Sequence, residues 1–460
     1  MLRAGTGEGQ GPGDWIMDEA ETVPEETQAP VLRDHPLRYA LTNELHARPF
    51  AELAAPEQAS HFAMLAPEGA PKQDDTAARA HILALCRRHG VAEPPEGATH
   101  FAADFGAFRL KWERHTEFTT YTFFHRAAFA EPFAEAAAGR VPQDWLAALP
   151  GQRMVAAHVA LLPCEGTAPG AEDLARWFVA DSLCHGRMIG GAAEVWTDFR
   201  IHADGFTRIL LRDCGLVPRQ AGRLVQRLLE MQTYRNMALL ALPLARETGP
   251  DIARIDQSLA ALTAQMKTLR SMEDERVLLD RLMTLSGEIE ETIAATSYRF
   301  SAARAYGTLV AERIREIREE RVPGQATIGE FVTRRLAPAL RTCESVAERQ
   351  QALSERATRA ANLLRTRVDI ALEGQNRDLL ASMDRRARLQ LRLQQTVEGL
   401  SVAAITYYLV SLVGYALKAA EQAGAALPVD LLQGLSIPLV ALLVWLGVRL
   451  VRRSLTGGEP

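Results

Sequence analysis

Two apolar stretches near the C-terminus constrain this chain more than any other feature. Gly399 to Leu417 reads GLSVAAITYYLVSLVGYAL with no charge, and Leu431 to Val451 reads LLQGLSIPLVALLVWLGVRLV with Arg449 near its end. As helices rising 1.5 Å per residue, each is long enough to cross a hydrocarbon core of about 30 Å. A buried hairpin of a water-soluble core is the competing reading, and two adjacent spans flanked by arginines argue against it. Arg385, Arg386, Arg388 and Arg392 precede the first span, and Arg449, Arg452 and Arg453 end the second. The connecting loop, KAAEQAGAALPVD, sets only Lys418 against Glu421 and Asp430. Cytoplasmic flanks collect arginine and lysine, so the expectation is an inner-membrane protein with both termini cytoplasmic and the loop outside. Pro438 is tolerable in a membrane helix where neighbouring groups satisfy the freed carbonyl.

From Pro218 to Glu398 the pattern is helical and β-branched clusters vanish. Pro218 suits a helix start, Pro243 interrupts, Gly249-Pro250 punctuates and Pro323-Gly324 breaks again. From Ile328 onward the last helix is expected to run into the first span. Ala357, Ala361, Leu364, Val368 and Ala371 step by four and three, which is a heptad seam. Continued, the seam turns polar through Gln375, Asp378 and Ser382. It serves either packing within the chain or contact between several subunits around a hydrated axis. In the second case Asp378 from each subunit gathers near an axis continuous with Thr406 and attracts a divalent cation. Gly399, Ala403, Thr406 and Gly414 then form a pore-lining or helix-packing face.

Residues 31–215 alternate in the manner of strands, near His61–Leu65, Ala107–Glu113, Glu117–His125, Met154–Leu161, Gly186–Thr197 and Phe206–Leu211. Hairpins are expected in FGAFRLKWERHTEFTTYTFFHRA and GAAEVWTDFRIHADGFTRILLRD, and helices over Asp75–His89 and Glu172–Asp181. The fold class is therefore an α+β cytoplasmic domain, a long helical stem and a C-terminal two-helix transmembrane hairpin. The boundaries are a disordered, Gly-, Pro- and acid-rich tail at 1–30 without a secretory leader, the α/β domain at 31–215, the helical hairpin and stalk at 216–398, and the membrane hairpin at 399–455.

A formal net charge of −5 argues against nucleic-acid binding through bulk electrostatics. Basic charge is nearly all arginine; only Lys72, Lys111, Lys267 and Lys418 are lysines. Five cysteines without a CxxC pair suit a reducing compartment and free buried thiols. All eleven histidines lie between 35 and 202, which confines side-chain acid–base or metal chemistry to the α/β domain. The densest constellation is HPLRYALTNELHARPF, where His35, Arg38, Glu44, His46 and Arg48 form a candidate ligand cluster. In WERHTEF, Glu113, His115 and Glu117 share one face of an extended segment, and alternating charge on a solvated strand face accounts for them. No zinc spacing, phosphate loop or nucleophile elbow occurs, so no catalytic residue and no cofactor is assigned, with a divalent cation as the only ligand ion raised.

Three stretches, HPLRYALTNELHARPF, LKWERHTEFTTYTFF and LQLRLQQTVEGLSVAAITYYLVSLVGYALK, together resemble a bacterial membrane-anchored family known as domain of unknown function 3422. The resemblance covers about residues 31–455. It implies a cytoplasmic, membrane-anchored protein without an assigned activity, and it brings no catalytic residues. The order of elements also resembles that of CorA-type magnesium transporters. Those transporters close the first span with Gly-Met-Asn, whereas this chain reads GYALKAAE there and has no asparagine after Asn376. Two functions follow as expectations. One is a CorA-like homo-oligomer in the bilayer that conducts or senses divalent cations. The other is a membrane-tethered scaffold or ligand-binding module without transport. An enzyme is not expected.

Overall fold

The computed structural model describes residues 33–39, 41–42, 49–66, 75–165, 168–269, 271–422 and 428–456. The expected 1–30 tail lies outside them. By contacts the chain forms two compact units: residues 1–237 with 306–336, and residues 238–305 with 337–460.

The first unit is built on a mixed sheet of strands β1 (Glu57–Leu65), β2 (His100–Asp104), β3 (Arg109–Arg114), β4 (Phe118–His125), β5 (Gln152–Pro163), β6 (Cys184–Met188), β7 (Ala193–Thr197), β8 (Thr207–Asp213) and β9 (Glu320–Arg321). Their order across the sheet is β2-β3-β4-β1-β5-β8-β7-β6-β9. β5 and β8 run parallel and the other named pairs antiparallel. The hairpins β3–β4 and β7–β8 stand where alternation placed them. The expected single strand Gly186–Thr197 is instead β6 and β7, because Ile189, Gly190 and Gly191 all take positive φ and turn the chain back. β2 and β9 carry too little alternation to announce themselves.

Alternation along the strands gives the sheet two faces. On one, Phe62, Leu110, Trp112, Tyr121 and Phe123 pack with Ile82 and Leu85 of helix α1 (Asp75–His89) and Trp145 of α2 (Gln143–Ala147). A further short helix, α3, spans Ala171–Trp177. The other face presents His61, Lys111, Glu113, Thr120 and Thr122 to α4 (Pro218–Leu239).

The adjacent parallel strands β5 and β8 also correct the cysteine expectation. Pro163 pairs with Asp213, so the next residues are neighbours, and Cys164 and Cys214 are disulfide-bonded with Cα atoms 4.8 Å apart. Cys86, Cys184 and Cys343 are free and buried.

The second unit packs stretches of α5 (Ala241–Gln265), α6 (Met272–Glu316) and α7 (Ile328–Gln422) around an apolar core. Ile252, Ile255 and Leu259 meet Leu278, Leu282 and Ile289, and Val346, Leu353, Ala357 and Leu364 close the third side. Buried Thr296 and Gln350 hydrogen-bond each other at 3.0 to 3.1 Å across this core. The heptad seam is thus occupied within the chain: Ala357, Leu364 and Val368 are buried without a second subunit. The expected break at Gly249-Pro250 does not occur. α5 continues through Pro250, and the burial of Ala245, Ile252 and Ile255 offsets the lost backbone hydrogen bond.

α7 continues for 95 residues to Gln422, and α8 spans Val429–Thr456. Both are long and apolar enough to cross a membrane by length and composition, and the apolar windows are 6% and 0% buried. A core helix of a water-soluble protein would bury such a window. Gly414 is buried where a Cβ would stand 2.6 Å from Gln433 of α8. Val402, Thr406, Val410 and Val413 share that half-buried face, with Gln433, Ser436, Val440 and Val444 opposite.

Candidate functional site

α4 lies on the sheet through one face. Gly222, Val225, Gln226, Leu229, Glu230, Thr233 and Tyr234 recur in steps of three and one, the spacing of a single helical stripe. At Gly222 the approach is closest, since a Cβ there would meet the Ala51 carbonyl oxygen at 1.6 Å. Only glycine lets the Phe50–Ala51 strand of chain cross the helix at this point, and Arg223 stacks over the Phe50 ring at 4.8 Å.

Beneath the stripe is a cavity of about 490 Å³, its open mouth included. The volume open to the centres of water molecules is about 40 Å³, room for about three waters. Phe118, Phe124, Val225, Leu229 and Tyr234 form its apolar walls, and His61, Lys111, Glu113, His115, Thr120 and Thr122 its polar floor.

The polar groups form one connected set. Lys111 Nζ lies 3.0 Å from Glu113 Oε1 and donates to Gln226 Oε1 at 3.0 Å. These side chains are 8% and 11% exposed for Lys111 and Glu113, so the pair sits in low dielectric where neither charge is stable alone. Gln226 Nε2 donates to Glu230 Oε1 at 2.7 Å, and Glu230 pairs with Arg313. Arg313 also meets Glu316 at 3.0 Å, and Glu316 meets Arg227 at 2.9 Å. The network thereby ties the sheet to α4 and to the last turns of α6.

His61 is neutral, with both ring nitrogens occupied. Thr233 donates its hydroxyl to Leu229 O at 3.0 Å, which leaves its oxygen to accept from His61 Nε2–H at 3.3 Å. Nδ1 then accepts from Thr122 at 2.8 Å. Burial first, then the nearby His115 and Lys111, push the imidazole down to about 3. His61 is therefore a poor proton acceptor and a good orienting wall. On the opposite face His158 is likewise held down to about 4 by burial, hydrogen-bonded to Ser60 at 2.9 Å and stacked on Phe206 at 3.7 Å.

The residues singled out in the sequence fall elsewhere, except for Glu113 and His115. His35 and Arg38 are exposed; Arg38 pairs with Asp34, and His35 Nδ1 accepts the Leu37 amide at 3.1 Å. Glu44, His46 and Arg48 lie outside the described residues. Asp378 is exposed on α7. Gly399 and Ala403 are exposed, while Thr406 and Gly414 face α8. No group of three or more His, Cys, Asp or Glu side chains suited to a metal occurs among the described residues. Glu113 and His115 both line the cavity, and their environment differs from expectation: Glu113 is buried and His115 half-buried, because α4 covers the strand face expected to be solvated. Sequence reasoning missed His61, Lys111, Gln226, Glu230 and Thr233. Lys111, one of four lysines and flanked by Leu110 and Trp112, was the available signal.

A family model described as protein of unknown function (DUF3422) matches residues 33–455. No curated protein matches the chain.

Proposed function

We propose a function for this chain, which belongs to the DUF3422 family, as a membrane-tethered ligand-binding module without transport or catalysis. The observation that carries the proposal is the cavity between the sheet and α4, walled by apolar side chains and floored by a fully paired polar network. Lys111 is balanced by Glu113, Glu230 by Arg313, and His61 is neutral. An ion entering would shed its water without meeting an uncompensated opposite charge, so the site favours a small, net-neutral polar molecule. With both nitrogens of His61 engaged, the cavity has a recognition surface rather than an activated base. α7 and α8 supply the anchor, with both termini on the cytoplasmic side.

Native mass spectrometry of the purified chain tests this reading. The expected result is a small bound molecule that is absent from Leu229→Trp, which fills the cavity, and weakened in Gln226→Leu, which removes a polar contact. Equal small-molecule content in all three folded proteins would defeat it.

A second reading, the CorA-like homo-oligomer, is favoured by the exposed Leu379, Leu380 and Met383 on α7. These are apolar side chains beside Asp378 left exposed among the described residues. In that reading magnesium, cobalt or calcium stabilises an oligomer through Asp378, and Asp378→Asn abolishes the thermal shift. No shift with any cation in the unmodified protein removes it.

A further inference from the structure

The turns of α7 just before Gly399 carry positive charge that little in the chain answers. Arg385, Arg386, Arg388 and Arg392 are all exposed. Among the described residues only Arg388 is ion-paired, with Asp384 at 2.7 Å. Between Arg385 and Gly399 the one acid is Glu398. At 1.5 Å per residue, Arg392 lies about 10 Å and Arg385 about 21 Å along the helix from Gly399. That range begins just outside a headgroup layer about 5–7 Å thick and reaches about one Debye length into the water beyond it.

The neighbouring apolar side chains point the same way. Leu389, Leu391 and Leu393 are 65%, 55% and 68% exposed. Spaced by two, they project around the helix rather than along one stripe, which does not suit packing on a single partner helix. Apolar side chains on all sides leave no single stripe for a partner helix, and the long arginine side chains among them can extend toward the headgroup phosphates. The hairpin gives an independent marker of depth. From the contact of Gly414 with Gln433, sixteen residues along each antiparallel helix bring Arg449 level with Glu398. Arg449 lies over the Trp445 ring at 4.9 Å, a pairing of aromatic and base typical of the interfacial belt.

We propose that Arg385, Arg386, Arg388 and Arg392 form a site for the phosphate groups of anionic lipids, in the leaflet where α7 enters the membrane. The proposal rests on the membrane-anchor reading and is independent of the cavity. Guanidinium forks match phosphate oxygens, and anionic headgroups beside these turns supply counter-charge that the described residues do not.

The test uses the full chain in nanodiscs of phosphatidylcholine, alone or mixed with phosphatidylglycerol, with retained lipid read by native mass spectrometry. Phosphatidylglycerol is expected to be enriched on the protein. Each Arg→Gln substitution is expected to lower that preference about fivefold, and the fourfold variant to abolish it. Inorganic phosphate added to phosphatidylcholine discs is expected to give no stabilisation, which separates a lipid site from a free-phosphate site. Enrichment that survives R385Q/R386Q/R388Q/R392Q, or stabilisation by free phosphate alone, overturns the proposal while leaving the anchor intact. A chain that does not enter nanodiscs overturns the anchor and this site together.

Discussion

Lys111 and Glu113 decide whether the cavity floor stays charged, because each is buried with the other as its counter-ion. Removing one leaves an unpaired charge in low dielectric, whereas removing both leaves no buried charge at that position. Lys111→Met is therefore expected to lose about 3–5 kcal/mol of stability, and Lys111→Met with Glu113→Leu to recover most of it. Urea unfolding of both single variants and the double variant checks this; a double-variant loss equal to the sum of the two single losses would mean that the residues are not coupled. The histidines give a pH dependence of definite sign. His61 and His158 titrate near 3 and 4 in the fold, against 6.5 when unfolded. Below about pH 6.5 the unfolded chain takes up protons that the fold refuses, so stability falls with acidification until the folded groups titrate. Each contributes about 1.4 kcal/mol per pH unit in that window. His61→Gln keeps a donor for Thr233 and an acceptor for Thr122, and is expected to flatten the decline. Denaturation midpoints near pH 7.5 and 5.5 measure it, and an unchanged slope would show that His61 is not held neutral. Little of this was legible residue by residue. A buried lysine reads in sequence like a surface one, and the histidine count located the right unit without selecting His61.

Helical periodicity marked α4 correctly as a helix but assigned it to the stem. An apolar stripe declares that a helix has a face to bury and is silent about which element buries it. Gly222 is where that ambiguity ends, since its missing side chain admits the Ala51 carbonyl. Gly222→Ala sets two effects against each other. Alanine in a helix interior gains about 1 kcal/mol over glycine, and forcing a methyl group into a closed contact loses about 1–3 kcal/mol or more. With a Cβ only 1.6 Å from a backbone oxygen, the loss is expected to win, giving a net destabilisation of about 2 kcal/mol. A higher denaturant midpoint for Gly222→Ala would show that residues 50–51 do not seat on α4. The strands were readable in proportion to their burial. β4 and β5 lie in the middle of the sheet and showed themselves, whereas β2 and the two-residue β9 close its edges and did not. The Cys164–Cys214 bond was out of reach for the same reason: it follows from the parallel pairing of β5 with β8, a non-local choice that no spacing along the chain expresses.

At the scale of the whole molecule, the apolar C-terminal stretches were the most legible feature. Their length and lack of charge survive any error in local structure, and both helices form with the apolar windows uncovered. The heptad seam was less so. Its period was real, but Ala357, Leu364 and Val368 pack within the chain, and exposed apolar side chains such as Leu379, Leu380 and Met383 lie further along the helix. The central proposal is that α7 and α8 anchor the chain as a hairpin, with the arginine flanks on the cytoplasmic side. Single cysteines at Glu421, beyond the first span, and at Asn376, on α7 before it, test this directly in intact cells with a membrane-impermeant maleimide. The native free cysteines are buried and contribute little background. The expected result is labelling of Glu421→Cys from outside and of Asn376→Cys only after permeabilisation. Equal labelling of both before permeabilisation, or of neither, would contradict the hairpin.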